Sequence, residues 1–158
     1  MKSREKPLVS NAERDRLIDA WRVMHFAVRA VIAEPDRMLA KRGLTRVHHR
    51  ILFFLARTPG MSVGELQTTL DVTKQALNTP LKQLREQGLI DFAKADHDAR
   101  VRELQLTEDG VTLESKLTGE QLQMFAAAFA EHSQSEVAGW FGVTQSLADR
   151  LELNTEKK

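Results

Sequence analysis

One stretch constrains the fold of this 158-residue chain more than any other: Val72 to Ile90, VTKQALNTPLKQLREQGLI. Ala76, Leu77, Leu81 and Leu84 recur at helical spacing and predict one apolar stripe. Gln75, Asn78, Thr79 and Lys82 fall on the other side, with Lys74 and Arg85 flanking and Thr73 as the expected N-cap. Amides, hydroxyls and cations are the groups that complement base edges and phosphates. The competing reading is a solvated surface helix. Gly88 supplies a left-handed C-terminal residue, and Leu89-Ile90 opens an apolar run. Pro80 sits mid-helix. It removes a backbone donor, costs about 3 kcal/mol in an ordinary helix interior, and is expected to bend the helix.

The flanks give this helix a context. Ser62-Val63-Gly64-Glu65 has the form of a capping box and opens a short helix bearing Leu66 and Leu70. Asp71-Val72 is a tight connection into the next helix. Two short helices so joined, the second with a polar outer face, are the sequence form of a helix-turn-helix. Beyond Gly88 the apolar period changes to two, with Ile90 and Phe92 on one side of a charged stretch and Leu104 and Leu106 on the other. That pattern predicts a two-stranded hairpin with Lys94 to Arg100 at its tip. A helix-turn-helix followed by a hairpin is a winged helix, so the expected class is mainly α with a small β-hairpin wing.

Longer helices enclose this centre. Ser10 to Glu13 is a capping box ahead of a helix carrying Leu17, Ile18, Trp21, Met24, Phe26, Val28, Val31 and Ile32. Pro35 predicts a kink or a division into two helices before Gly43. The apolar positions cover more than one stripe, as on a helix packed against both its own domain and a second subunit. Thr45 is the expected cap of a helix bearing Ile51, Leu52, Phe54 and Leu55, which Thr58-Pro59-Gly60 ends. Thr107 begins a helix with Leu113, Leu117, Met124, Phe125 and Phe129. A third box, Ser133 to Glu136, opens the last one, with Val137, Trp140, Phe141, Leu147 and Leu151. The expected parts are 1–43 and 107–158 for dimerisation around a winged helix-turn-helix at 44–106.

Composition excludes several classes. There is no cysteine, hence no disulfide framework or thiolate metal site. No stretch approaches the roughly twenty apolar residues of a membrane span, and the charged start MKSREKPLVS lacks a signal core, so no membrane partner is expected and the cytoplasm is the expected compartment. A Gly-rich phosphate loop and a nucleophile elbow are both missing, and Ser, His and Asp occur at no informative spacing, so no catalytic residue and no enzyme is expected. His48 and His49 are adjacent, and His25, His97 and His132 lie in other elements, so no metal site or cofactor is expected either. The net charge is only +1, with bases in excess up to Arg50 and acids from Thr107 onward, so a polyanion would be met by a local basic patch.

Three motifs then carry a resemblance: Gly43-Leu44-Thr45, Gln87-Gly88-Leu89-Ile90, and Leu104-Gln105-Leu106-Thr107-Glu108-Asp109-Gly110. In this order and spacing, over essentially the whole chain, the sequence resembles the MarR/SlyA winged-helix transcription regulators. The wing departs from the family's usual Asp-Arg-Arg tip, with Asp98-Ala99-Arg100 at that place. The resemblance implies a homodimeric regulator, expected to repress, whose first and last helices interlock and whose two winged helices meet successive turns of double-stranded operator DNA. On it, Gln75 and Asn78 would read adenine, Lys74 or Lys82 guanine or phosphate, and Ser62 phosphate at a helix N-terminus. Arg100 would enter the minor groove, with Thr73, Thr79, Arg85 and His97 completing the surface. Leu17, Trp140, Phe141, Leu147 and Leu151 are the expected dimer interface. Family ligands enter a cleft beside the dimerisation helices. Here Trp21, Met24, His25 and Arg29, with His48 and Phe53, could form a pocket for a small aromatic or lipophilic effector, against the reading that they are core. The alternatives are a winged-helix protein-interaction module and a metal-responsive regulator.

Overall fold

The structure is a computed structural model that describes residues 10–94 and 102–155. Six helices and one hairpin follow in the order α1 (Asn11–Ala40), α2 (Arg46–Arg57), α3 (Val63–Leu70), α4 (Lys74–Glu86), β1 (Ile90–Lys94), β2 (Arg102–Leu106), α5 (Glu108–Ala130) and α6 (Gln134–Thr155). Packing divides the chain into two compact units, Met1–Gln121 and Leu122–Lys158.

The first unit is organised around an apolar core drawn from every element it contains. Leu39 of α1, Ile51, Leu52 and Leu55 of α2, Leu66 and Leu70 of α3, and Leu77, Leu81 and Leu84 of α4 meet Ile90, Leu104, Leu113 and Leu117. Burial of this kind is the main favourable term in folding a domain of this size. The expected stripe on α4 is corrected at two positions. Ala76 is exposed, and the Pro80 ring is buried beside Leu77, Leu81 and Leu84. α4 runs through Pro80 as one helix, because the ring turns its apolar surface into the core where a longer side chain would otherwise sit. α1 likewise runs through Pro35 without dividing, and that ring too is fully buried.

The helix ends follow the sequence signals closely. Ser10 accepts a hydrogen bond from the Glu13 N–H. Ser62 and Glu65 exchange bonds in a full capping box, as do Ser133 and Glu136 at the start of α6. The Ser133 hydroxyl and N–H together hold the Glu136 carboxyl below its ordinary value. At the end of α4, Gly88 adopts φ +67°, the Leu89 N–H reaches the Leu84 carbonyl and the Gly88 N–H reaches Arg85. These two bonds define a Schellman termination, which needs a left-handed residue at this place.

β1 and β2 pair antiparallel with Ile90 opposite Leu106 and Phe92 opposite Leu104, so the apolar side chains share one face as the alternation predicts. The hairpin is anchored at its base. The Leu104 N–H donates to the Met61 carbonyl at 2.8 Å, and Ser62 pairs with Glu103, which ties the wing to the entry of α3. Thr107 then joins the wing to α5. Its hydroxyl donates to the Gly88 carbonyl at 2.6 Å and accepts the Gly110 N–H at 3.1 Å, and its own N–H donates to Leu89. α5 starts so close to the chain leaving α4 that a Cβ on Gly110 would lie 1.9 Å from the Leu89 carbonyl oxygen.

In the second unit, Phe125 and Phe129 of α5 form an aromatic cluster with Trp140 and Phe141 of α6, with ring centroids 5.0 to 5.8 Å apart. Such edge-on and tilted contacts stabilise a small helical hairpin beyond area burial alone.

Candidate nucleic-acid interface

The site is built by three local devices. Asp71, at φ 49° in the left-handed region, makes the sharp turn between α3 and α4. Thr73 then caps α4, its hydroxyl oxygen accepting the Ala76 N–H at 3.2 Å. The buried stripe of α4 fixes the rotation of the helix, and that rotation turns Lys74, Gln75, Asn78, Thr79, Lys82 and Arg85 outward, all exposed. The face expected from the sequence is therefore present as one continuous amide- and cation-bearing surface.

An open groove of about 770 Å³ runs between α4 and the hairpin, lined by Lys74, Asn78, Lys82, Arg85 and Glu86 over Leu81, Val63 and Phe92. The Arg85 guanidinium carbon lies 5.5 Å from the centre of the Phe92 ring, so its charge leans toward the wing. Lys82 Nζ is 3.7 Å from Glu86, an exposed pair one turn along the helix. Such a pair is weak in water and leaves Lys82 available to a stronger anion. His97 and Arg100 lie outside the described residues.

Ser62 is the capping-box N-cap that the sequence predicts, and this cap bears on the phosphate contact also expected there. Its N–H and its hydroxyl both donate to Glu65 Oε2 at 2.7 Å, so the Glu65 carboxylate already occupies the N-terminus of α3. A phosphate there would meet a like charge, and Ser62 is a capping residue first.

His48 is also corrected. It is buried, and both ring nitrogens are engaged: Nδ1 accepts the Thr45 N–H at 2.9 Å, and Nε2 lies 2.8 Å from Gln83 Oε1. It belongs to the packing between α2 and α4 and has no nitrogen left for an effector. Phe53 lies under the Arg57 guanidinium, 3.5 Å from ring centre to carbon. Trp21, His25 and Arg29 are exposed on α1 and Met24 half-buried, so within one chain the six residues are not gathered into one site. Leu17, Trp140, Phe141, Leu147 and Leu151 are all exposed in the single chain.

Polar pairs tie α2 to α5 and to α1, around a buried Glu114 and Thr118. Arg57 donates to Glu114 at 2.7 Å, Thr118 donates to the same carboxylate oxygen at 2.6 Å, and Arg46 pairs with Asp36. His49 lies in this region, and its imidazole is pushed below 6.5 by burial, with Glu114 and Asp36 acting in the opposite direction and Arg57 with burial. No group of three His, Asp or Glu residues placed to hold a metal occurs among the described residues.

Sequence reasoning missed two residues that bear on the site, Gln83 and Gln87. Gln83 of α4 reaches His48 in the first turn of α2 and Gln87, the C-cap of α4, reaches the Arg42 carbonyl after α1, 35 and 45 positions away, and no local pattern announces such a contact.

A three-helix core with a helix-turn-helix, a hairpin at its side and an open polar face on the second helix defines a winged-helix DNA-recognition module. Comparison with known proteins gives the family. The sequence profile of the MarR family matches residues 42–101. The HTH-type transcriptional regulator PetP of Rhodobacter capsulatus is 39% identical over 126 residues, covering 80% of this chain and 76% of that protein. The chain belongs to the MarR family of transcription regulators, whose members matched here are not enzymes. Among solved structures, the MarR family transcription regulator SP03579 superposes with a TM-score of 0.74 at 23% identity, over 93% of this chain and 97% of that one. The S. aureus MepR–DNA complex gives 0.67 at 17% identity, over 82% and 94%. Both have this fold. No helix of the described residues is long and apolar enough to cross a membrane.

Proposed function

We propose that this chain acts as a homodimeric, sequence-specific binder of double-stranded operator DNA, with α4 in the major groove and the hairpin along the adjacent backbone. The observation that carries this reading is the outward face of α4. Gln75 and Asn78 can pair bidentately with adenine, Lys74 and Lys82 can reach guanine or phosphate, and the buried side of the helix holds them all on one line. Its relative MepR has been crystallised with DNA, which supports the same use here.

The dimer is supported by the apolar surface left open on α1 and α6. Leu17, Ile18, Trp21 and Phe26 on α1 and Phe141, Val143 and Leu147 on α6 are each about half exposed or more in one chain. A soluble monomer rarely leaves so many large apolar groups in water. Occupancy of an operator by such a dimer excludes other proteins from the same DNA, so repression is the regulatory outcome we propose.

Selection from random duplexes tests the reading. The expected product is a pseudo-palindrome whose half-sites lie about one helical turn apart, bound with an affinity that falls steeply with salt. A protein that recovers no sequence above background and elutes early from a DNA resin would instead be a winged helix used for protein contacts.

A further inference from the structure

One flank of α4 and its C-terminal cap are held by two long-range hydrogen bonds. Gln87 Nε2 donates to the Arg42 carbonyl at 3.0 Å, between the C-terminal cap of α4 and the turn after α1. One turn earlier, Gln83 Oε1 meets His48 Nε2 at 2.8 Å. The tautomer follows from the other nitrogen. Nδ1 accepts the Thr45 N–H, so it carries no proton, and Nε2–H is the donor to Gln83. The buried imidazole is thus a spacer between the first turn of α2 and the flank of α4.

Pro80 gives this spacer a purpose. Having no N–H, it leaves the Ala76 carbonyl without its helical partner, so the two halves of α4 are joined by one backbone bond fewer than usual. Gln75, Asn78 and Thr79 lie before Pro80, and Lys82 and Arg85 lie after it. Gln83 lies after it too, beside Lys82. We propose that His48, acting through Gln83, is a positioning residue that sets the angle of the second half of α4 and so governs base discrimination. Phosphate-driven affinity, which tolerates small rotations, depends on it little. This rests on the operator-binding reading above.

The test compares Gln83→Leu and Gln83→Glu with the wild-type protein on three duplexes: the selected operator, operators with one changed base pair in a half-site, and an unrelated sequence. Leucine removes the acceptor, whereas the glutamate carboxylate still accepts the Nε2–H bond. Gln83→Leu is expected to lose about tenfold in preference for the operator over its single-base variants, while binding to unrelated duplex stays within about twofold. Gln83→Glu is expected to keep the wild-type preference. Unchanged discrimination in Gln83→Leu overturns the proposal. So does equal weakening on all three duplexes with a lowered melting temperature, the signature of a merely structural role, and so does a Gln83→Glu protein that behaves like the leucine variant. Failure of the wild-type protein itself to prefer any sequence overturns the operator reading, and this inference with it.

Discussion

Gly110 and Asp71 show how single positions bind backbone geometry to the site. At Gly110 a methyl group would overlap the Leu89 carbonyl oxygen, which is main chain and cannot swing aside. Gly110→Ala is expected to destabilise the protein by about 3 kcal/mol or to prevent folding, read as the shift in a urea midpoint. Asp71 has the opposite sign. It holds a left-handed conformation that costs a side-chain-bearing residue about 1 kcal/mol, and its charge sits at the negative end of α3. Asp71→Gly is therefore expected to raise the melting temperature, with a gain of about 1 kcal/mol at the midpoint. Glycine was legible in the sequence as a helix stop at Gly88. The need for it at Gly110 was not, because the atom it avoids lies 21 positions away.

At the scale of elements, the polar contacts among α1, α2 and α5 make stability depend on pH. Burial lowers the folded-state pKa of His49 below its ordinary 6.5, so the unfolded chain binds the proton more readily. The contribution of the neutral imidazole is fully present above about 6.5 and is lost as pH falls through the lowered folded value. Urea midpoints of the wild-type protein should fall with acidification from pH 7, and His49→Phe should flatten the first part of that slope. The neighbouring Arg57–Glu114 pair belongs to the same packing. Glu114 is almost fully buried and shares its oxygen between Arg57 and Thr118. Removing the guanidinium leaves a buried carboxylate with one donor, and Arg57→Ala should cost about 2 kcal/mol in equilibrium unfolding. The elements themselves were readable from period and caps: two of the three expected capping boxes close in both directions, at Ser62 and Ser133, and at Ser10 the cap accepts the Glu13 N–H alone. The two prolines were not readable in that way. Sequence rules predict a bend at Pro80 and a kink or a division at Pro35, and the burial of both rings in the core accompanies the continuity of α1 and α4.

For the whole molecule, the decisive quantity is the apolar area that one chain leaves in water on α1 and α6. Sedimentation should give twice the 17.9 kDa chain mass at micromolar concentration. Leu147→Glu on α6 or Trp21→Glu on α1, each placing a charge on its own helix's exposed apolar face, should shift the protein toward a single copy, and operator affinity should fall at least tenfold as the second half-site contact is lost. A variant that stays dimeric with full affinity would move the interface elsewhere.

What the amino-acid order settled alone was local. Side-chain period, hydroxyl caps and left-handed glycines act within a few residues, and they gave the winged helix, the outward amides and cations of α4, and the family motifs at the junctions. Tertiary structure decided which polar groups were already spoken for. His48 went to Gln83 across 35 positions, which engaged both its ring nitrogens and made it a brace for α4. The reason is physical: a hydrogen-bonding side chain carries no mark of its partner until packing brings a distant donor or acceptor within 3 Å.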